Sequence, residues 1–335
     1  IGHAYIKDNN SNRIVNFIDL CGHSTYLKTT VSGMTSNDPD FAIVCVGTNI
    51  TDMTKEHIRL LIAMKIPFMF AVTKIDFMPQ NLLDHNICVL RKFAKDCNKQ
   101  FLILKNSETE MKKSVDTTCI PALHDFIPLV RLSNTTGEGL STIRYMLSKL
   151  PQKAHQFPPV FSVHHVYKVQ GWGVIVCGYT GIEIKKGQEL FIGPFEGGNF
   201  EKTKVRSIHN DYREFVDTLP AYTKGCLCIK WDADKQHLLR SGIVLSPTIV
   251  PVYKKFKAEL VVFNGHSTTI RKGFCAFCNC GSIKEPIRFS ECPESLRSGD
   301  KSIVELEFLQ RCYFVSPETP LFMREGKLRA FARIL

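Results

Sequence analysis

The stretch from Ile14 to Met34 reads IVNFIDLCGHSTYLKTTVSGM and decides the fold of the first half of the chain. An apolar run ends at Asp19, Gly22 and His23 follow, and a segment of helical character comes next. This order predicts a strand, a sharp turn and a helix, with ligands expected outside the carboxyl end of the strand. A carboxylate there can hold Mg²⁺ through water, and glycine lets a backbone N–H approach a phosphate. Alone, the pattern also fits an ordinary strand-to-helix turn.

A second apolar run, PFMFAV over residues 67–72, ends in Thr73, Lys74, Ile75 and Asp76. A carboxylate placed like Asp76 can accept hydrogen bonds from both N–H donors on the Watson–Crick edge of guanine. Adenine does not offer that pair, so a wrong base would leave the carboxylate unpaired. The aliphatic stem of Lys74 can cover the face of the base.

A third segment follows the same plan. The run over residues 129–132 leads into Ser133, Asn134 and a loop that ends in Gly137, and a helix is predicted over 139–149. A backbone amide in this loop could hydrogen-bond the guanine carbonyl. Three loops at strand ends, in this order and spacing, are more specific than any one of them.

With these three loops the chain resembles the translational GTPases. Residues 19–23 match their third guanine-nucleotide motif, residues 73–76 the fourth and residues 133–134 the fifth. The usual fourth motif has Asn where Thr73 stands, and elongation factors usually have Pro where Cys21 stands. Within the superfamily the chain is most similar to the eukaryotic group of GTP-binding proteins one and two. The stretches of sequence that carry this resemblance include FIDLCGHSTYLKTTVSGMTSNDPDF, MTKEHIRLLIAMKIPF and RLSNTTGEGL.

The resemblance implies an α/β plus all-β chain: a P-loop-NTPase-type G domain that is N-terminally incomplete, followed by two β-barrel domains. The implied boundaries are 1–150 for the G domain, 151–159 for a linker, and 160–251 and 252–335 for the barrels. It also implies GTP/GDP and Mg²⁺ as ligands. Asp19 would lie near the metal through water, Gly22 near the γ-phosphate, and His23 would order the attacking water. The residues implied to hold guanine are Thr73, Lys74, Asp76, Ser133 and Asn134.

The phosphate-binding motif Gly-x-x-x-x-Gly-Lys-Ser/Thr is absent from the 335 residues, and the first residue is Ile1 rather than Met. We therefore expect this chain to be cut from a longer one. Two hypotheses stay open. The chain is a GTPase of elongation-factor type that acts in translation, ribosome rescue or RNA turnover, or it is a non-catalytic GTPase relic whose basic barrels bind RNA or a protein.

The pattern of the first 150 residues alternates strands with helices. Besides the segments above, strands are predicted over 41–46 and 101–104, and helices over 54–65 and 83–97. Alternation of this kind favours a parallel sheet covered on both faces. The rest of 98–124 is irregular and is interpreted as a loop.

After a proline-rich linker at 151–159 the pattern changes to short strands separated by glycine turns, which is typical of closed barrels. The predicted strands cover 161–166, 172–178, 190–192, 203–208 and 226–231, then 256–263, 273–279, 301–308 and 321–335. A hairpin turn is expected at Glu325 and Gly326. The neighbours His164 and His165 should point to opposite faces of a strand and so form no joint site.

Composition bounds the remaining possibilities. The chain is 44% hydrophobic and 22% charged, which is typical of a globular protein. No apolar run approaches the roughly 20 residues that span a bilayer, so no membrane association is expected. The thirteen cysteines are scattered, and two of them, Cys45 and Cys177, lie inside apolar runs. We interpret the cysteines as reduced, buried thiols of a cytoplasmic protein.

Three close cysteines, Cys275, Cys278 and Cys280, suggest a metal site with Cys292 as a fourth ligand. Zinc is not expected, because the C-x-x-C-x-C spacing has no second pair and alternation along a strand explains Cys278 and Cys280.

The positive charge is concentrated in the second half of the chain. Residues 1–150 carry 17 Lys and Arg against 14 Asp and Glu, a net of +3, and residues 151–335 carry 26 against 18, a net of +8. This distribution favours RNA or the ribosome as a partner, although basic surface can also serve solubility alone. Protein exchange or activating factors are further candidate partners.

Overall fold

The computed structural model describes residues 2–8, 13–37, 39–105, 108–116, 120, 123–151, 158–232, 234–263, 269–326 and 328–335. The chain forms two compact units, residues 1–33 with 39–153 and residues 34–38 with 154–335. Of the predicted linker 151–159, residues 152–157 lie outside the described residues.

The first unit begins with two antiparallel strands, β1 (Gly2–Asp8) and β2 (Arg13–Asp19), which form a sheet of their own. A short 3₁₀ turn (Ser24–Tyr26) then leads into helix α1 (Leu27–Asn37). The predicted order of strand, turn and helix is therefore present. Strand β1 was not predicted, however, and β2 is no parallel strand, because the few residues between the two strands allow only an antiparallel hairpin.

A four-stranded parallel sheet in the order β3-β4-β6-β5 carries the rest of the first unit, as predicted. Its central strand β4 is buried along its whole length, which explains the continuous apolar run. The Thr51 hydroxyl caps α2 by accepting a hydrogen bond from the Thr54 N–H at 3.2 Å. The strands are β3 (Ala42–Val46), β4 (Phe68–Val72), β5 (Gln100–Ile103) and β6 (Phe126–Arg131), and the long helices are α2 (Asp52–Ala63), α3 (Gln80–Asp96) and α5 (Leu140–Lys149).

The predicted loop after β5 contains a further short helix, α4 (Glu108–Ser114), so that prediction was wrong. Its sequence, ETEMKKS, has a single apolar residue and no helical periodicity to detect. Tertiary contacts hold the region instead. Val115 is buried in a cluster with Met146, and the Tyr145 hydroxyl donates a hydrogen bond to the Asp116 carboxylate at 2.7 Å.

The first half of the second unit is a closed barrel, as predicted. Six strands pair in the order β10-β15-β7-β8-β14-β11, and β10 also pairs with β11 to close the ring. The strands are β7 (Phe161–Val169), β8 (Gly173–Thr180), β9 (Ile184–Lys185), β10 (Glu189–Gly193), β11 (Glu201–Asn210), β12 (Phe215–Val216), β13 (Thr218–Leu219), β14 (Thr223–Ile229) and β15 (Val244–Ser246). Inward residues of these strands, such as Phe161, Val176 and Leu227, form the core.

A β-bulge interrupts β7 at His164. Val163 pairs with Gly178 and His165 pairs with the next residue, Cys177, so His164 is the extra residue of the ladder. His164 and His165 are therefore not successive positions of a regular ladder, on which the expectation of opposite faces was based. The bulge places Val163 inside the barrel and His165 outside, although the two positions are two residues apart.

The second half of the unit is another closed barrel, in the order β16-β19-β18-β17-β20-β21 with β21 paired to β16. One strand, β18, was not predicted, because Pro286 in its middle argues against a strand. The predicted strand over 321–335 is two strands that turn at Gly326, where the hairpin turn was expected. The strands are β16 (Lys255–Val262), β17 (Cys275–Cys280), β18 (Ile283–Glu291), β19 (Lys301–Phe308), β20 (Pro320–Glu325) and β21 (Leu328–Ile334).

The two barrels meet around Glu285, whose side chain is buried. One carboxylate oxygen accepts hydrogen bonds from the N–H groups of Gln310 (2.8 Å) and Arg311 (2.9 Å), and the other accepts one from the Tyr313 hydroxyl. The guanidinium of Arg240, from the first barrel, lies 5.8 Å from the centre of the Tyr313 ring. This contact joins the barrels through a cation, a ring and a carboxylate.

The described cysteines range from buried to exposed. Cys278 and Cys280 are buried in the core of the second barrel, and Cys177 is half-buried. The prediction that the cysteines are buried was wrong for the four exposed ones, Cys21, Cys45, Cys88 and Cys275. Of these, Cys45 lies on β3, the edge strand of the parallel sheet. In the described part of the chain, no helix combines the length and the apolarity needed to cross a membrane.

Candidate functional site

The candidate site lies where the parallel strands of the first unit end. The Thr73 N–H donates to the Val46 carbonyl at 2.8 Å, and the Leu132 N–H donates to the Val72 carbonyl at 2.8 Å. The Thr73 hydroxyl is also 3.3 Å from the Val46 carbonyl. These bonds bring the carboxyl ends of β3, β4 and β6 together along one side of the sheet, which we call the sheet edge. Ligands bind at this side in open α/β sheets.

The segment after β4 turns sharply at Lys74, whose φ of 62° lies in the left-handed region. The Lys74 carbonyl accepts hydrogen bonds from the N–H groups of Phe77 (3.1 Å) and Met78 (3.0 Å), and the Met78 side chain is buried. The buried methionine anchors the turn, so the side chains of Lys74 and Asp76 remain exposed at the sheet edge.

Ser133 connects this turn to the loop after β6. Its side chain is fully buried, and its hydroxyl donates to the Asp76 carboxylate. The same oxygen accepts hydrogen bonds from the N–H groups of Thr135 (3.2 Å) and Thr136 (3.1 Å). The hydrogen bond from Ser133 lowers the pKa of Asp76, and the backbone N–H of Asp76 and the Thr135 hydroxyl add to this effect. Asp76 is therefore an ionised, acceptor-only group near neutral pH.

The loop itself is closed by its backbone and by glycine. The Ser133 N–H donates to the Glu138 carbonyl at 3.0 Å, and the Gly137 N–H donates to the Ser133 carbonyl at 3.0 Å. Gly139 has a φ of +79°, and a Cβ atom there would lie 2.1 Å from the Arg131 carbonyl oxygen. Only glycine fits this position without displacement of the strand end.

Asn86 of α3 was not predicted as a site residue. Its side chain is buried, and its amide donates to the Thr48 carbonyl at 2.9 Å, which ties the loop after β3 to the helix. The available signal was its position on the apolar face of α3, between Leu83 and Leu90, where a polar residue needs a hydrogen-bond partner. Asn86 is a positioning residue for this edge of the sheet.

The three remaining predicted residues lie on the β1–β2 hairpin and the turn after it. Asp19 ends β2, and the side chains of Asp19 and His23 are exposed, while a Cβ at Gly22 would meet no atom within 4 Å. The Thr25 N–H lies 3.3 Å from Nδ1 of His23. Nδ1 acts there as an acceptor, so the neutral ring carries its proton on Nε2. The buried Thr30 fixes this turn, because its hydroxyl donates to the Cys21 carbonyl at 2.6 Å.

The predicted residues thus fall into two sets. Thr73, Asp76 and Ser133 lie at one sheet edge, and hydrogen bonds link the two loops that carry them; Lys74 and Asn134 sit beside them with exposed side chains. Asp19 lies at the end of the hairpin, and Gly22 and His23 lie in the turn that follows it. Within the described ranges, no group of three His, Cys, Asp or Glu side chains could hold a metal ion. The Asp19 carboxylate still fits Mg²⁺, which is often bound by one or two carboxylates with water and phosphate oxygens.

Comparison with known proteins agrees with this architecture. Residues 1–153 match the family model of the elongation factor Tu GTP binding domain. GTP-binding protein 1 of Xenopus laevis is 34% identical over 97% of the chain, and human GTP-binding protein 2 is 28% identical over 97%. The chain spans about half the length of these relatives, 50% and 56% respectively.

Solved structures share the fold across nearly the whole chain. The bacterial selenocysteine-specific elongation factor EF-Sec superposes with a TM-score of 0.72 at 19% identity, over 99% of this chain and 51% of that protein. Translation elongation factor SelB from Methanococcus maripaludis, in its apo form, gives 0.68 at 17% identity, over 96% and 70%. Together with the family match and the relatives, they show a G domain followed by two six-stranded barrels. Residues 1–153 therefore belong to the elongation factor Tu type of GTP binding domain, and the chain as a whole is related to GTP-binding proteins 1 and 2 of the translational GTPase superfamily.

Proposed function

We propose that this chain binds a guanine nucleotide at the sheet edge formed by Thr73, Asp76 and Ser133. We further propose that the chain is a GTPase of elongation-factor type that acts in translation, ribosome rescue or RNA turnover. The observation that carries it is the hydrogen bond between the buried Ser133 and the exposed Asp76. That bond holds an ionised carboxylate in place before any base arrives, which lowers the entropy cost of binding.

The chemistry of the base follows from this carboxylate. Asp76 would accept the two N–H donors of guanine, the Lys74 stem would cover one face of the base, and the loop from Ser133 to Asn134 would face its carbonyl. A base without the donor pair leaves the charged acceptor unpaired, which is the main source of discrimination.

For hydrolysis we propose roles for the residues of the hairpin and its turn. The Nε2–H of His23 would orient the attacking water, and Gly22 would offer its backbone N–H to the γ-phosphate. Asp19 would hold Mg²⁺ through water, and the ion when bound would neutralise phosphate charge. In phosphoryl transfer such positioning and electrostatics supply most of the catalysis.

A base-swap experiment tests the nucleotide proposal. The purified chain is titrated with a fluorescent GDP analogue, with GDP, ADP and xanthosine diphosphate as competitors. With the unsubstituted chain, we expect GDP to displace the fluorescent analogue and ADP and xanthosine diphosphate to leave it bound. In an Asp76→Asn variant the amide offers one acceptor and one donor, which suits xanthine, so xanthosine diphosphate should become the better competitor.

The matched control is Asp84→Asn, which changes an exposed carboxylate on α3 and should leave the competition order unchanged. Equal competition by GDP and ADP would contradict the proposal. Absence of binding to the folded chain would contradict nucleotide binding by these 335 residues. It would leave two hypotheses, a GTPase that needs the phosphate-binding motif absent from them and a non-catalytic protein whose barrels bind RNA or a protein.

For the partner we propose RNA, reached through the first barrel. Lys202, Lys204 and Arg206 alternate along the outer face of β11, and with Lys230 they line a groove of about 470 Å³. Glu189, Glu201 and Asp232 also line it, so the groove would select a phosphate backbone by the placement of its cations more than by net charge. The net charge of +8 over residues 151–335 provides the attraction.

RNA binding can be measured by filter retention at several salt concentrations. The double variant Lys202→Glu/Lys204→Glu should weaken binding and reduce its salt dependence, while Lys257→Glu on the second barrel should not. Equal loss in both variants would assign the effect to total charge and contradict a role for the groove.

A further inference from the structure

Two cysteines and two histidines form one row across the outer face of the first barrel. The strand register pairs His165 with Cys177, Cys177 with Cys226, and Cys226 with His209. The row therefore crosses β7, β8, β14 and β11 in that order. Directly opposite side chains on one face of an antiparallel sheet are in contact range, so each thiol has the other thiol on one side and an imidazole on the other.

The pleat turns both thiols outward. Val176 and Leu227, their neighbours along the chain, are buried in the barrel core, and successive side chains of a strand point to opposite faces. Cys177 and Cys226 are both half-buried and both carry free thiols. They are thus accessible to a small reagent at the barrel surface.

The spacing of the pair suits a disulfide. Opposed Cα atoms of antiparallel strands lie about 4.5 or 5.5 Å apart, depending on the type of pair. Both values fall inside the range of about 4.4–6.8 Å that disulfides require. The two thiols already contact each other through a hydrogen bond, so oxidation needs little movement of the backbone.

The surroundings make the two thiols unequal. The hydrogen bond from the Cys177 thiol lowers the pKa of Cys226, and the nearby Arg213 guanidinium adds to this effect, against the opposing influence of burial and of Asp211. The same hydrogen bond, together with burial, raises the pKa of Cys177. Since the thiolate is the nucleophile, Cys226 is the thiol that reacts first and Cys177 is the one that resolves.

We propose that Cys177 and Cys226 form a reversible redox site, which a peroxide oxidises to a disulfide between β8 and β14. The Cys226 thiolate attacks one peroxide oxygen, the O–O bond breaks, and the departing hydroxide takes up the proton that Cys226 has lost, giving a sulfenic acid and water. The Cys177 sulfur then attacks the Cys226 sulfur, the S–O bond breaks, and a second water leaves with the Cys177 proton. The two thiols lose two electrons and the peroxide gains them.

The first test is peptide mapping of the full chain. The protein is treated with hydrogen peroxide, free thiols are blocked with iodoacetamide, and a non-reducing digest is analysed by mass spectrometry. We expect a peptide pair joined through Cys177 and Cys226 that dithiothreitol separates. A Cys177→Ser variant should lose the pair and leave Cys226 as a sulfenic acid that dimedone traps.

The matched control is Cys228→Ser. Cys228 lies two residues beyond Cys226 on β14 and is buried, with its thiol 3.2 Å from the Trp172 carbonyl oxygen, so this variant should keep the joined peptides. The proposal is overturned if Cys177 and Cys226 stay open to alkylation at a peroxide concentration that oxidises the exposed Cys275.

A second test needs no variant and no oxidant. Phenylarsine oxide bridges two thiols that lie side by side, so it should protect Cys177 and Cys226 from alkylation together and leave Cys275 unprotected. Independent alkylation of the two cysteines in the presence of this reagent would contradict the proximity on which the proposal rests.

Discussion

The hydroxyl of Ser133 donates a hydrogen bond to the carboxylate of Asp76, although the serine is fully buried and the aspartate is exposed. The same hydroxyl oxygen accepts two backbone N–H groups from its own loop. One side chain therefore sets both the conformation of the loop after β6 and the direction of the carboxylate after β4. Loss of this side chain should therefore weaken ligand binding more than it destabilises the fold.

Replacing Ser133 with alanine should weaken guanine-nucleotide binding by about tenfold or more, because the carboxylate and the loop each lose a fixed partner. The measurement is the dissociation constant of a fluorescent GDP analogue, with circular dichroism to confirm the fold. Ser141→Ala, an exposed position in the first turn of α5, is the control. Unchanged affinity in the Ser133 variant would remove this residue from the site.

Two glycines of the same loop provide a matched pair. Gly137 and Gly139 have nearly equal φ values, +80° and +79°, but a Cβ at Gly137 meets nothing within 4 Å, whereas at Gly139 it meets the Arg131 carbonyl. Gly137→Ala should cost only the strain of a left-handed residue, about 1 kcal/mol. Gly139→Ala should cost at least about 2 kcal/mol more, measured as the free energy of unfolding in urea. Equal costs would show that the strand end yields to the new atom.

The imidazole at the bulge of β7 should make the stability of the second unit depend on pH. Burial, with smaller effects from Lys224, His165 and Lys284, lowers the pKa of His164 from 6.5 to about 4. Between these values the unfolded chain binds the proton and the folded chain does not, so stability falls as the pH drops below 6.5 and is fully present above it.

From pH 7 to pH 5 this single group should account for about 2 kcal/mol of lost stability. The measurement is urea unfolding at both pH values. His164→Gln should abolish that part of the dependence, and His237→Gln, at an exposed position of the same barrel, should retain it. An equal pH dependence in all three proteins would contradict the assignment.

The Glu285 carboxylate between the barrels should contribute more to the stability of the second unit than any one of its hydrogen-bond partners. Glu285→Ala leaves the N–H groups of Gln310 and Arg311 and the Tyr313 hydroxyl without their acceptor, which should destabilise the second unit by about 3 kcal/mol. Tyr313→Phe removes one donor and should cost about 1 kcal/mol. Thermal unfolding of both variants compares the two values, and a larger loss in the tyrosine variant would contradict this order.

What the sequence predicts here depends on how each element is buried. Strand β4 lies between two strands and is apolar throughout, so its sequence alone identifies it. Strand β18 contains Pro286, and β1 reads GHAYIKD with mixed polarity, so neither has a signal strong enough to detect. Both exist because neighbouring strands supply the pairing, which is a property of the tertiary structure.

The candidate site shows the same division. Asp76 was predicted from its position after an apolar run, because strand ends of a parallel sheet must converge, and Ser133 from the resemblance to the fifth motif of the family. That Ser133 is buried and holds Asp76, and that Asn86 fixes the loop after β3, depends on contacts between residues about 40 to 60 positions apart. No local pattern encodes such contacts.

The bulge in β7 implies that the barrel would tolerate a shorter chain at this point. Val163 and His165 pair with the consecutive residues Gly178 and Cys177, so removal of His164 would leave an unbroken ladder in which every other pair keeps its partner. The inside and outside positions of β7 would also stay as they are, since Val163 already faces in and His165 already faces out. Strands usually forbid the loss of one residue because every later side chain changes face. Here the bulge makes position 164 a place where the chain can lose a residue while the other strand pairs of the barrel keep their register.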